Sequence, residues 1–190
     1  MSDTAVETIP QAGVWDIDEV HSSLEFVVRH LMATKVRGRF SEWTATLTTG
    51  STPGDAKVEA TIQAANVTTF NEQRDAHLRS ADFFEVDKYP TLEFRSTRVG
   101  ELGSDNHFTV EGDLTARGVT NPVTLDVEFA GAFDDPYGRT KATFSATTEL
   151  EREKWNLTWN QPLDKGGFVL GKTITVEVEV QFVLRKEEQK

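Results

Sequence analysis

From about residue 13 to residue 184 the chain alternates apolar and polar side chains with a period of two, and turn residues break the pattern at hairpin intervals. This rhythm constrains the fold more than any other feature. A period of two gives a strand one apolar and one polar face. A βαβ rhythm, which a parallel sheet would need for its crossovers, is missing. The last segment is the clearest: Ile174, Val176, Val178, Val180 and Phe182 point one way, and Thr173, Thr175, Glu177, Glu179 and Gln181 the other. Earlier segments read likewise. Val14–Asp18 is short. Ser22–His30 sets Leu24, Phe26, Val28 and His30 on one face, and Phe40–Thr49, Lys57–Ala65 and Thr91–Val99 follow. Phe108–Ala116 then returns through a Gly118–Pro122 turn as Val123–Phe133, whose apolar face carries Val123, Leu125, Val127, Phe129 and Phe133. Arg139–Leu150 carries Ala142, Phe144 and Ala146.

Eight or nine antiparallel strands of this kind close as a barrel or stack as a sandwich. A wet face on nearly every strand fits the barrel, and eight strands enclose either packed side chains or one small ligand. Small residues at inward positions (Ala60, Ala64, Ser96, Gly112, Ala142, Ala146) favour a cavity. The fold class is therefore all-β, an antiparallel eight-stranded barrel with one inserted helix. Residues 1–12 read as a flexible tail, 13–184 as one domain and 185–190 as a charged, frayed end.

The helix lies in TFNEQRDAHLRSADFFEVDKYP, residues 69–90, and spans about residues 70–81. Thr69 and Glu72 have capping-box spacing, and Phe70, Arg74, His77, Leu78 and Ala81 recur at helical intervals. The helix is either a plug for one end of the barrel or a lid whose polar groups meet a ligand head. Composition narrows the partners. A net charge of −11 argues against nucleic acid and against electrostatic docking on an anionic membrane. No apolar run is long enough for an integral span. Zero cysteines exclude disulfides and thiolate chemistry, and the first residues lack the pattern of a secretory signal, so a cytoplasmic location is expected.

Four segments together resemble the YceI-like family of polyisoprenoid-binding, lipocalin-like proteins. They are HSSLEFVVRHLMATKVRGRF (21–40), RDAHLRSADFFEVDKYPTLEF (74–94), GDLTARGVTNPVTLDV (112–127), and KWNLTWN followed by GGFVLGKTITVEVEV (154–180). The resemblance runs from about Gly13 to Leu184. It implies an elongated barrel that holds a long amphiphile such as a polyisoprenoid, an isoprenoid quinone or a fatty acid or amide. The tail would lie in the core and the head near the mouth. It also implies self-association as a homodimer, and many relatives are periplasmic.

No catalytic, nucleotide-binding or metalloprotease motif occurs, and neither a metal nor a cofactor is expected beyond the bound lipid. His21 and His30 bracket one strand, roughly 30 Å apart at ~3.3 Å per residue, so they cannot share a metal. His77 with Asp75, or with His30, is the remaining candidate for an acid–base or metal pair. The run Arg74, Asp75, Arg79, Asp82 reads either as a self-paired ion network or as a head-group site. Phe83 and Phe84 dock the helix. Phe26, Phe40, Phe94, Phe129 and Phe144 are cavity wall or simply core. Trp155, Trp159 and Phe168, in the irregular 151–170 connection, gate one end or form a satellite cluster. Candidate wall and mouth residues are thus Phe26, Val28, His30, Phe40, Arg74, His77, Phe83, Phe84, Phe94, Phe129, Phe144, Trp155 and Phe168. Each buried methylene contributes ~0.8 kcal/mol, while association and ordering cost about 4–15 kcal/mol. A long chain should therefore bind well and a C5 or C10 compound poorly.

Overall fold

A computed structural model describes residues 10–164 and 166–186. Its eleven strand segments are β1 (Gly13–Ile17), β2 (Ser23–His30), β3 (Thr34–Phe40), β4 (Trp43–Thr49), β5 (Lys57–Gln63), β6 (Val67–Thr68), β7 (Thr91–Val99), β8 (His107–Ala116), β9 (Val119–Asp134), β10 (Thr140–Glu151) and β11 (Leu170–Leu184). They make an eight-stranded closed antiparallel barrel, because β1 and β2, β3 and β4, and β5 and β6 are successive pieces of three bent strands. Chain neighbours pair all the way round, and β11 closes the ring on both β1 and β2. Full closure leaves no sheet edge to protect.

The two ends of the barrel differ. The turn at 31–33, the segment 69–90 with its helix α1 (Glu72–Arg79), the 117–118 turn and the 152–169 connection all fall at one end. The 50–56 turn, the 100–106 loop and the 135–139 turn fall at the other. The first end is plugged. Arg117 donates to the carbonyls of Ala81 (2.7 Å) and Asn156 (2.6 Å), Asn121 to that of Lys154 (2.9 Å), and the Trp155 indole to that of Leu114 (2.9 Å). Arg117 and Gly118, both at positive φ, turn β8 into β9 in two residues, so β9 begins at Val119 and carries Pro122 within the strand rather than in the turn.

Several expectations are corrected. β3 is a strand in its own right, and Phe40 ends it rather than opening the next. Its alternation is disguised because the inward position between Val36 and Phe40 is Gly38, where a Cβ would collide with the Phe26 ring. In β9 a bulge sets Thr143 against Gly131 but Phe144 against Phe129, so the inward parity changes and Phe133 is exposed instead of facing the core. The helix is shorter than residues 70–81 and begins differently. Asn71 is its cap, accepting from the Arg74 amide at 3.0 Å. Thr69 instead donates its hydroxyl and its amide to the buried Asp75 carboxylate, at 2.5 and 2.7 Å. Phe70 lies outside the helix at φ 60°, exposed, with the Arg39 guanidinium 5.2 Å from its ring centroid. Of the tail expected over 1–12, residues 1–9 lie outside the described residues, whereas Pro10–Ala12 pack at the open end, where Thr49 donates to the Gln11 carbonyl at 2.6 Å. The frayed end expected at 185–190 lies outside the described residues from 187 on; Arg185 is tied to the Asp16 carboxylate at 2.9 Å and to the Val14 carbonyl at 2.8 Å.

Candidate ligand-binding cavity

The inward faces of the strands do not meet. They enclose two adjoining lobes that share Phe40, Leu92, Leu114, Leu150 and Val176 as border residues. The larger, about 490 Å³, is walled by residues such as Leu47, Val58, Phe94, Val110, Phe129, Phe144 and Val178, and reaches the open end at Pro10–Ala12 and Gly50–Pro53. Among the described residues no charged side chain lines it. The smaller, about 270 Å³, lies at the plugged end among α1, β2 and the 152–170 connection. The larger lies within the range of small-molecule sites, roughly 300–1,000 Å³, and the smaller just below it. One strand face serves both lobes: Ile174 borders the smaller, Val178, Val180 and Phe182 the larger, and Val176 both.

The expected small-residue wall is realised in part. Ala60 and Ala146 line the larger lobe, joined by Ala45 and Ala56. Ser96 does not line it; its hydroxyl accepts from the Val58 amide at 2.8 Å. Gly112 works indirectly, because a Cβ there would lie 2.5 Å from the Phe94 ring that forms the wall.

Phe94, Phe129 and Phe144 border the larger lobe, and Phe40 borders both. Phe26, Val28, His30, Arg74, His77, Phe83, Phe84 and Trp155 all border the smaller. Phe168 is the exception. It is 47% exposed, forms a bridge with Pro162 and borders neither lobe, so it does not gate the cavity. Trp159 takes the inward place on that connection, packed edge-on against His77 (4.7 Å between centroids) and tilted on Phe83 (5.4 Å).

The polar groups of α1 pair otherwise than expected. Arg74 donates to the Thr69 hydroxyl (2.7 Å) and carbonyl (3.0 Å), and Arg79 to the carbonyls of Ala65 (2.7 Å) and Val67 (3.1 Å). The run is therefore not a self-paired ion network. Asp75 is consumed by Thr68 and Thr69 and does not partner His77. Burial alone would push its carboxyl up, but the Thr69 hydroxyl and amide and the Thr68 hydroxyl outweigh that and hold it below the ordinary aspartate value. His77 pairs instead with Asp82 at 2.8 Å, on a surface where the two side chains are 36% and 54% exposed. Among the described residues no three His, Asp or Glu side chains are grouped to hold a metal ion.

Among the wall residues that the candidate list left out, the charged one is Arg152. It is 2% exposed and borders the smaller lobe. β10 ends at Glu151 and a tight turn over Arg152–Trp155 carries the chain across the plugged end, with Asn156 in the left-handed conformation at its close. The Arg152 Nε donates to the Gly171 carbonyl at 2.9 Å, and Nη1 donates to the Leu157 carbonyl. The signal was present in the parity of β10: Phe144, Ala146, Thr148 and Leu150 face inward, and 152 is the next inward position.

A closed eight-stranded antiparallel barrel with a largely apolar interior and a helix across one end is a lipocalin-like fold. The YceI-like domain matches residues 15–182, so the chain belongs to the YceI-like family, as its four segments suggested. A UPF0312 protein of Staphylococcus aureus strain USA300 is 38% identical over 172 residues, covering 87% of this chain and 94% of that protein. The YceI protein of Campylobacter jejuni superposes with a TM-score of 0.71 at 26% identity, covering 83% of this chain and 90% of that one. BcnA of Burkholderia cenocepacia gives a TM-score of 0.76 at 19% identity, covering 87% and 99%. A polyisoprenoid binding domain from Saccharophagus degradans gives 0.63 at 16%, covering 90% and 98%. No helix among the described residues is long and apolar enough to cross a membrane.

Proposed function

We propose that this protein binds one long-chain amphiphilic lipid inside its barrel, to store or carry it, without chemical turnover. The observation that carries the reading is the pair of adjoining lobes, of which the larger is lined, among the described residues, without a single charged side chain. An apolar cavity of this size, reached from one end of the barrel, suits an extended hydrocarbon or prenyl chain better than a compact polar metabolite. The neighbour from Saccharophagus degradans shares this barrel and is itself a polyisoprenoid binding domain, which supports the same class of ligand here; an isoprenoid quinone or a fatty acid or amide fits by the same physics. The His77–Asp82 pair lies at the surface, and the His77 ring packs edge-on against Phe83 and Trp159, where it braces the aromatic plug.

Organic extraction of the protein purified from its native host, followed by mass spectrometry, tests this directly. A long-chain lipid at close to one per chain is expected. An empty extract, from protein that after delipidation also takes up no long-chain prenyl or acyl probe, would refute the proposal.

A further inference from the structure

The β2–β3 hairpin carries bulky apolar residues where its backbone suits them least. Leu31 and Met32 both stand at positive φ, 51° and 59°, in a turn closed by the Ala33 amide, which donates to the His30 carbonyl at 3.1 Å. Such a turn favours Asn-Gly, and large side chains in it are strained. Burial does not offset the strain: Leu31 is 48% exposed and Met32 68%, within five consecutive exposed residues, 31–35. Phe168, also exposed, stands beside them, because the Leu31 amide donates to the Val169 carbonyl at 2.7 Å. Strain held in exposed side chains points to a role outside the fold.

The net charge of −11, which argues against docking by the chain as a whole, is unevenly spread. Residues 26–41 hold Arg29, Lys35, Arg37 and Arg39 and no Asp or Glu. Arg37 pairs with Glu177 at 3.0 Å, but among the described residues Arg29, Lys35 and Arg39 have no carboxylate within ion-pair distance. Elsewhere on the barrel Arg95, Arg98, Arg117, Arg139, Lys154 and Arg185 each sit on an acid. Glu25 and Glu177 oppose each other across β2 and β11, and from that row to the tip β2, β3 and β11 carry no further acid. At ~3.3 Å per residue the acid-free stretch is about 20 Å long, more than two Debye lengths at physiological salt. The 152–169 connection adds Glu153, paired with Lys172 at 3.4 Å, and Asp164; beyond β3 the first turn of α1 adds Glu72.

We infer that this tip docks on an anionic bilayer surface, with Leu31, Met32 and Phe168 entering the interface and Arg29 and Lys35 meeting the lipid phosphates. Arg29 and Lys35 face each other in register just behind the turn, so both lie at the level of the head groups when the tip enters. A bilayer takes up an exposed apolar tip without a matching groove, and its anionic lipids attract the cations behind it. A second copy of the chain fits poorly, because a two-fold contact sets the basic patch against itself. Docking turns the smaller lobe, which His30, Val36 and Leu170 border from within, toward the membrane. The inference goes beyond the lipid-binding reading and stands whatever the cavity holds.

The full chain should sediment with vesicles of phosphatidylcholine and one-third phosphatidylglycerol at ~0.1 M salt, and stay in solution with pure phosphatidylcholine or at ~1 M salt. Leu31→Asn/Met32→Gly installs the residues this turn favours. It should melt no lower than the native protein, yet bind the anionic vesicles about tenfold more weakly. Arg29→Gln/Lys35→Gln should weaken binding about 10- to 30-fold, about fivefold for each cation. Because the chain has no cysteine, Met32→Cys takes a single environment-sensitive NBD label. Its emission should rise and shift to the blue on anionic vesicles, while the same label at Tyr137→Cys, exposed on a turn at the opposite end, should not respond. No binding to anionic vesicles, equal binding to neutral ones, binding that survives both double variants, or a response at position 137 rather than 32 overturns the docking. If vesicles fail but polyglutamate binds, the patch belongs to an acidic protein surface and the membrane assignment falls.

Discussion

The two lobes of the cavity are built by different means. The larger is a product of strand periodicity: inward side chains of β4, β5 and β7–β11 leave a space between them, and any apolar side chain of suitable size serves. The smaller is a product of particular contacts at the plugged end. There the Trp155 indole, the Asn160 side chain bridging the amide and carbonyl of Leu170, the Asp75 carboxylate and the Arg152 guanidinium each have one specific place. Volume and hydrophobicity govern the first lobe, hydrogen-bond geometry and charge the second. Substitutions should therefore act on binding at one end and on both stability and binding at the other.

Trp155→Ala gives the largest expected effect. It removes a buried indole and its bond to the Leu114 carbonyl, and should cost about 3–5 kcal/mol of stability in chemical unfolding. A loss under about 1 kcal/mol would mean that the plug is not integral to the barrel. Ala146→Phe probes the other end. Filling the larger lobe should weaken binding of a long-chain lipid by about 100-fold, the equivalent of three or four methylenes at ~0.8 kcal/mol each, with little change in melting temperature. An equal loss of stability would show that the lobe is packed rather than open.

Asp75→Ala should cost about 1–3 kcal/mol by leaving the Thr69 amide without its acceptor. The same carboxylate sets a pH dependence. Its folded pKa lies below its unfolded value of about 3.9, so its contribution is complete above roughly pH 4 and is lost as pH falls through the folded value. Acid unfolding of the Ala variant should therefore lack that component. Asn71→Ala, which removes only the cap of α1, should cost about 1 kcal/mol. A larger penalty there would show the short helix to be more tightly coupled to the barrel than its contacts suggest.

The contrast between the lobes also explains what was legible in the sequence. Period-two alternation pointed to the barrel and its inward faces, and it left the aromatic residues open as cavity wall or simply core; Phe94, Phe129 and Phe144 border the larger lobe. Misreadings arose where one residue broke the period without breaking the strand: Gly38, whose missing side chain makes room for Phe26, and the bulge in β9, which turns Phe133 outward. At the plugged end local spacing was degenerate. Thr69 and Asn71 both stand where a cap can stand, and the decision falls to Asp75, which claims the Thr69 hydroxyl. Arg152 was hidden because an arginine just past a strand reads as a solvated side chain. Only the register of β10, continued one step beyond Leu150, turns it inward.

A homologous series of straight-chain lipids of one head group, titrated into delipidated protein, tests most directly that the barrel interior is a site for a long apolar chain. Affinity should rise by roughly 0.8 kcal/mol per methylene and then level off once the chain fills both lobes. Ala146→Phe should move the plateau to a shorter chain. Affinity independent of chain length, or the same plateau in both proteins, would place binding outside the cavity and contradict the assignment.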